Sequence, residues 1–61
     1  MKIQFVSKLR PDGPVLFEAE GQSVPRAGEY VTIPGYRETV VSRVLRVYGE
    51  HGEESAAVVL G

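Results

Sequence analysis

The segment Glu38 to Tyr48, ETVVSRVLRVY, decides how this chain folds. Its apolar residues Val40, Val41, Val44, Leu45 and Tyr48 recur at helical spacing, and Gly49 stands where a helix would stop. Side-chain stiffness argues the other way. Four valines and Thr39 in eleven residues are β-branched, and such side chains lose rotamers in a helix but pack well on a pleated surface. A strand with a β-bulge near Ser42 to Arg43 reconciles the two observations, because one extra residue moves the inward set by one position. The segment is therefore read as a long, bent strand.

Upstream lies Val24 to Gly35, VPRAGEYVTIPG, which reads as a strand punctuated at both ends. Pro25 holds Val24 extended and Gly28 supplies a turn. Glu29 to Ile33 forms the strand, with Val31 and Ile33 inward and Tyr30 and Thr32 outward. Pro34-Gly35 supplies the central residues of a type II turn, since proline presets the first φ and glycine accepts a positive second one.

The same reasoning extends to both termini. Lys2 to Leu9 alternates, with Ile3, Phe5 and Leu9 on one face and Lys2, Gln4 and Lys8 on the other, leaving Val6 on the wetter side. Arg10 to Pro14 turns the chain. Val15 to Glu20 returns as a second strand with Val15, Phe17 and Ala19 inward and Glu18 and Glu20 beside Lys2 or Lys8. Gly21 to Gly28 is a longer connection whose Val24-Pro25 pair plugs the mouth of the sheet. Gly49 to Gly52 turns again, and Glu53 to Leu60 is the last strand, with Ala56, Val58 and Leu60 or their neighbours facing in. Five short strands with frequent turns predict a single all-β domain over residues 1–61, a small five-stranded antiparallel barrel or rolled sheet.

The order of elements, with a V-P-x-x-G-acid-x-V-x-I segment in which Val24, Pro25, Arg26, Gly28, Val31 and Ile33 occupy the matching positions, resembles the Src-homology-3-like small barrels. It is similar in particular to short uncharacterised bacterial or phage-type proteins. Those relatives usually have Asp where this chain has Glu29. The resemblance implies a fold and brings no catalytic or binding residues with it, and the chain lacks the aromatic cluster with which true Src-homology-3 domains grip proline-rich ligands.

Composition narrows the function. A chain of 61 residues without cysteine has neither disulfides nor thiolate ligands, so its core or a partner must stabilise it. A reducing, cytoplasmic setting is expected, and no apolar run reaches the length of a membrane span. The net charge of −1 is laid out in blocks of alternating sign, which suits neighbouring strands of opposite charge and not a general attraction to polyanions. His51 stands alone between glycines in a turn, Glu50, Glu53 and Glu54 near it lack a supporting shell for a metal, and the serines have no nucleophile motif. No enzyme, metal or cofactor is expected.

Two binding readings remain. The first is a protein-interaction or assembly module, with a protein partner or a homo-oligomer, because so small a core completes its burial against another surface. Val6, Leu16 and one of Val58 and Val59 fall on faces that alternation assigns to water, and together they would mark a contact patch. The alternative is a nucleic-acid-binding small barrel in which Arg26, Tyr30, Tyr36, Arg37, Arg43 and Arg46 share one face, guanidinium groups meeting phosphates and rings stacking on bases. Eight carboxylates oppose that approach.

Overall fold

A computed structural model describes residues 1–21 and 23–61. They form five strands and no helix: β1 (Lys2–Ser7), β2 (Phe17–Glu20), β3 (Tyr30–Val31), β4 (Thr39–Tyr48) and β5 (Glu54–Leu60). The strands make one rolled sheet in the order β2-β1-β5-β4-β3, an open half-barrel. The chain is all-β, and the valine-rich segment is a strand.

Its bulge falls where β-branching and helical spacing together require it. The β4–β5 register slips between Val41 and Arg43, so Ser42 is the extra residue. Before the slip Val41 is inward and after it Val44 is, both packed with Val58 and Leu60. The misleading helical spacing was two strand segments joined out of phase.

The pairing corrects the expectation of a purely antiparallel sheet, because β1 and β5 run parallel, with Ile3 abreast of Ala56 and Phe5 abreast of Val58. The reason is one of parity. Consecutive strands reverse direction, so the first and fifth point the same way, and a sheet that joins them side by side must pair them in parallel. The ends of the sheet are then β2 and β3.

The inner face carries the core: Ile3, Phe5, Ile33, Val41, Val58 and Leu60, with Phe17, Ala19, Val24, Val31 and Val44 packed at its margin. Phe5 and Phe17 lie abreast with ring centroids 6.1 Å apart. Each fully buried aliphatic side chain contributes on the order of 1.5–3 kcal/mol. Val24 packs against this core, as its reading as a plug across the sheet's mouth requires; residue 22 of the same connection lies outside the described residues.

Two type II turns frame the third strand. The Tyr36 N–H donates to the Ile33 carbonyl at 3.1 Å across Pro34-Gly35, with Gly35 at φ +78°. The Glu29 N–H does the same to Arg26, also at 3.1 Å, with Gly28 at φ +93°. These positive φ values suit glycine because it has no Cβ to clash.

Several side-chain assignments are corrected. Leu9 does not join the core: β1 ends at Ser7, the chain turns at Lys8-Leu9, and Leu9 is 90% exposed. Val15 is also outside, because β2 begins only at Phe17, and β3 is shorter than its apolar run, pairing with β4 at Tyr30 and Val31 alone. Val6, assigned to the wetter side, is buried, abreast of Val59 on the outer face. Alternation places it there correctly, but alternation does not report how far neighbouring chain covers that face.

Candidate functional site

The far half of β4 pairs with β5 on one edge and leaves its other edge open among the described residues. Backbone parity explains why. The Gly61 N–H donates to Val40 at 3.0 Å, so Val40 turns its polar groups toward β5 and Val41 turns its own toward the third strand. There the Gly28 N–H reaches the Val41 carbonyl at 2.8 Å and the Val41 N–H reaches the Glu29 carbonyl at 2.7 Å. Past the bulge, the Gly49 N–H bonds the Glu53 carbonyl at 2.8 Å, which assigns Arg43, Leu45 and Val47 to β5. The backbone groups of Val44, Arg46 and Tyr48 therefore point to the opposite edge, where no strand among the described residues pairs with them.

Beyond the bulge, β4 and β5 thus form a two-stranded arm. Its outer face carries Leu45 and Val47, 43% and 49% exposed, abreast of Ala57 and Ser55. Its inner face carries Val44, Arg46 and Tyr48. Toward the tip, Glu54 organises the inner side: the Arg46 guanidinium lies 3.5 Å from its carboxylate and the Tyr48 hydroxyl donates to the same oxygen at 3.2 Å. Ion pairs this exposed contribute about 0–1 kcal/mol, so they orient the side chains more than they stabilise the fold.

Beside the open edge runs the segment Ser23 to Ala27. Its polypeptide does not continue the β3 ladder along β4, because the Arg26–Glu29 turn carries it away and Pro25 has no N–H to donate. Between Ser23, Val24, Pro25, Arg26 and the inner side of Val44 and Arg46 lies a cleft of about 570 Å³.

The six residues expected to share one face are divided by the fold. Arg26 and Arg46 line the cleft. Arg43 is abreast of Val59 on the outer face, and Tyr30, abreast of Val40, is outward and exposed. Tyr36 and Arg37 follow the Pro34-Gly35 turn. The expected apolar patch is also rearranged. Val6 and Val59 are abreast but only 5% and 2% exposed, while Leu16 is exposed, as alternation assigns it, with its backbone N–H donating to the Phe5 carbonyl at 2.7 Å. Leu45 and Val47 are the exposed aliphatic pair that sequence reasoning passed over; alternation counted afresh from Arg43 would have found them. His51 is exposed in the β4–β5 turn, and Glu54 faces Arg46 and Tyr48.

Among the described residues no helix is long and apolar enough to cross a membrane. Comparison of the chain with protein-family models, with curated proteins and with solved structures finds no match. The fold and these surfaces are what a functional reading has to work from.

Proposed function

We propose that this chain is a non-enzymatic protein-interaction or assembly module, acting in the cytoplasm, and that the outer face of the β4–β5 arm is its contact surface. The observation that carries the reading is the exposure of Leu45 and Val47 side by side on a strand whose far half has only one partner strand among the described residues. A small domain has little apolar surface to spare, and exposing two aliphatic side chains together costs stability that association recovers. A second copy is the first partner to test, since the sheet's exposed face is available to pack against its own equivalent. Kinship with Src-homology-3-like bacterial or phage-type proteins rests on the V-P-x-x-G-acid-x-V-x-I segment. The nucleic-acid alternative has less support, because its arginines and tyrosines lie on different sides of the sheet and Arg46 is paired with Glu54.

Light scattering across a concentration series, on the native chain and on a Leu45→Lys/Val47→Lys variant, tests this. The native chain is expected to associate and the variant to stay monomeric while keeping the native circular dichroism spectrum and a cooperative unfolding transition. A native chain that remains a strict monomer at millimolar concentration, with no concentration-dependent amide shifts along the arm, would refute self-assembly through this face.

A further inference from the structure

The geometry points to a peptide-capture site in the cleft between Ser23–Arg26 and the open edge of β4, one that takes an extended segment with an apolar residue and a carboxylate two positions apart. This goes beyond the assembly reading and uses a different surface: the edge and inner side of β4, not the outer face that carries Leu45 and Val47.

Three observations carry it. First, the backbone groups of Val44, Arg46 and Tyr48 face the cleft side and have no strand partner among the described residues. An unpaired edge is a template for one more strand, and a peptide laid along it gains main-chain hydrogen bonds at every second residue. From Val44 to Tyr48 the edge runs about 13 Å at 3.3 Å per residue, room for four or five residues. Second, the space exists. The Arg26–Glu29 turn diverts the chain, so that a cleft of about 570 Å³ separates Ser23–Arg26 from β4. Third, the lining specifies chemistry. Val24, Pro25 and Val44 offer apolar surface, and among the described residues the charged side chains lining the cleft are Arg26 and Arg46. Arg46 shares its charge with Glu54, whereas the Arg26 guanidinium has no ion pair among the described residues.

Because Val44 and Arg46 are two positions apart on one strand face, an added strand places alternate residues beside them. The residue abreast of Val44 is apolar and the residue abreast of Arg46 is Asp or Glu, which also comes within reach of Arg26. In a strand laid parallel to β4 the motif reads apolar-x-acidic from N- to C-terminus, in an extended segment of a partner chain.

The test uses the whole isotope-labelled chain and three capped pentapeptides. These are Ser-Val-Thr-Glu-Ser, the same peptide with Lys in place of Glu, and the first peptide N-methylated on alternate amides. The first is expected to shift the amide resonances of Val44, Arg46, Tyr48 and Arg26 and to slow hydrogen exchange at Val44 and Arg46. The Lys peptide is expected to bind about tenfold more weakly at low salt, as attraction gives way to repulsion. The N-methylated peptide should not bind, because it cannot complete the ladder. An Arg26→Ala chain should bind more weakly at an unchanged unfolding midpoint. Equal binding of all three peptides, shifts confined to Leu45 and Val47, or no shifts at millimolar peptide would each overturn the proposal. Strong protection of the Val44 and Arg46 amides in the free chain would do so as well, as would concentration-dependent shifts at those amides without peptide, which would assign the edge to a second copy. The assembly reading is scored separately, by light scattering without peptide.

Discussion

Val58 is 0% exposed and sits mid-strand on β5, between Phe5 of β1 and Val44 of β4. Replacing it with alanine removes two methyl groups from the closest-packed part of the inner face. At about 0.8 kcal/mol per buried carbon the transfer loss is about 1.6 kcal/mol, and a cavity that the two flanking strands cannot collapse raises it to about 2–2.5 kcal/mol. A chain of 61 residues has a total margin of about 3–9 kcal/mol at ordinary stability per residue, so the variant loses a large share of it. The matched control is Val47→Ala on the arm. Val47 is half exposed, so it forfeits about half the transfer term and leaves no cavity, at a cost of about 0.8 kcal/mol or less. Urea unfolding followed by far-ultraviolet circular dichroism measures both. With a slope of about 1 kcal/mol per molar urea for so small a domain, the Val58 midpoint should fall by about 2 M and the Val47 midpoint by less than about 1 M. Equal shifts in the two variants would refute the assignment of inner and outer faces, and with it the account of the core.

Gly35→Ala should cost about 1–2 kcal/mol in the same assay although nothing lies within 4 Å of the added carbon, because the penalty is the positive φ alone; Gly35→Asn should cost less. His51→Ala should leave stability within about 0.5 kcal/mol, since the residue is an exposed turn position, and a larger effect would show that this turn has a role not assigned to it here. Deleting Ser42 should preserve the pairing of Val44 with Val58, because it removes the bulge without inverting the strand, whereas deleting Val44 should turn Leu45 and Val47 inward and unfold the chain; cross-strand proton contacts distinguish the two. Glu54→Gln should change the unfolding free energy by less than about 1 kcal/mol, as expected for a pair this exposed, with a salt-independent difference counting against an ionic contribution.

Local chemistry was enough for the sequence by itself to determine that the valine-rich segment forms a bulged strand, that the Pro34-Gly35 step makes a type II turn, and that Ile3, Phe5, Val31 and Ile33 face inward. Each of these follows from β-branching, glycine's access to positive φ, or the two-residue period of a strand, and none depends on a distant residue. Which set of the last strand faces inward stays open at that level, between Ala56, Val58 and Leu60 and their neighbours. Tertiary structure alone decided where the rolled sheet stays open. Alternating strands can be written down from turns, but which two of them meet is set by packing across the whole chain, and here β1 meets β5 in parallel while β2 and β3 become the ends. That choice leaves half of β4 without a second neighbour among the described residues, scatters the arginines and tyrosines that composition had gathered onto one imagined face, and sets Arg26 beside Arg46 across the cleft. The reason is physical: a side chain's direction is fixed by its own strand, whereas its company is fixed by strand order, which is a property of the entire hydrogen-bonded sheet.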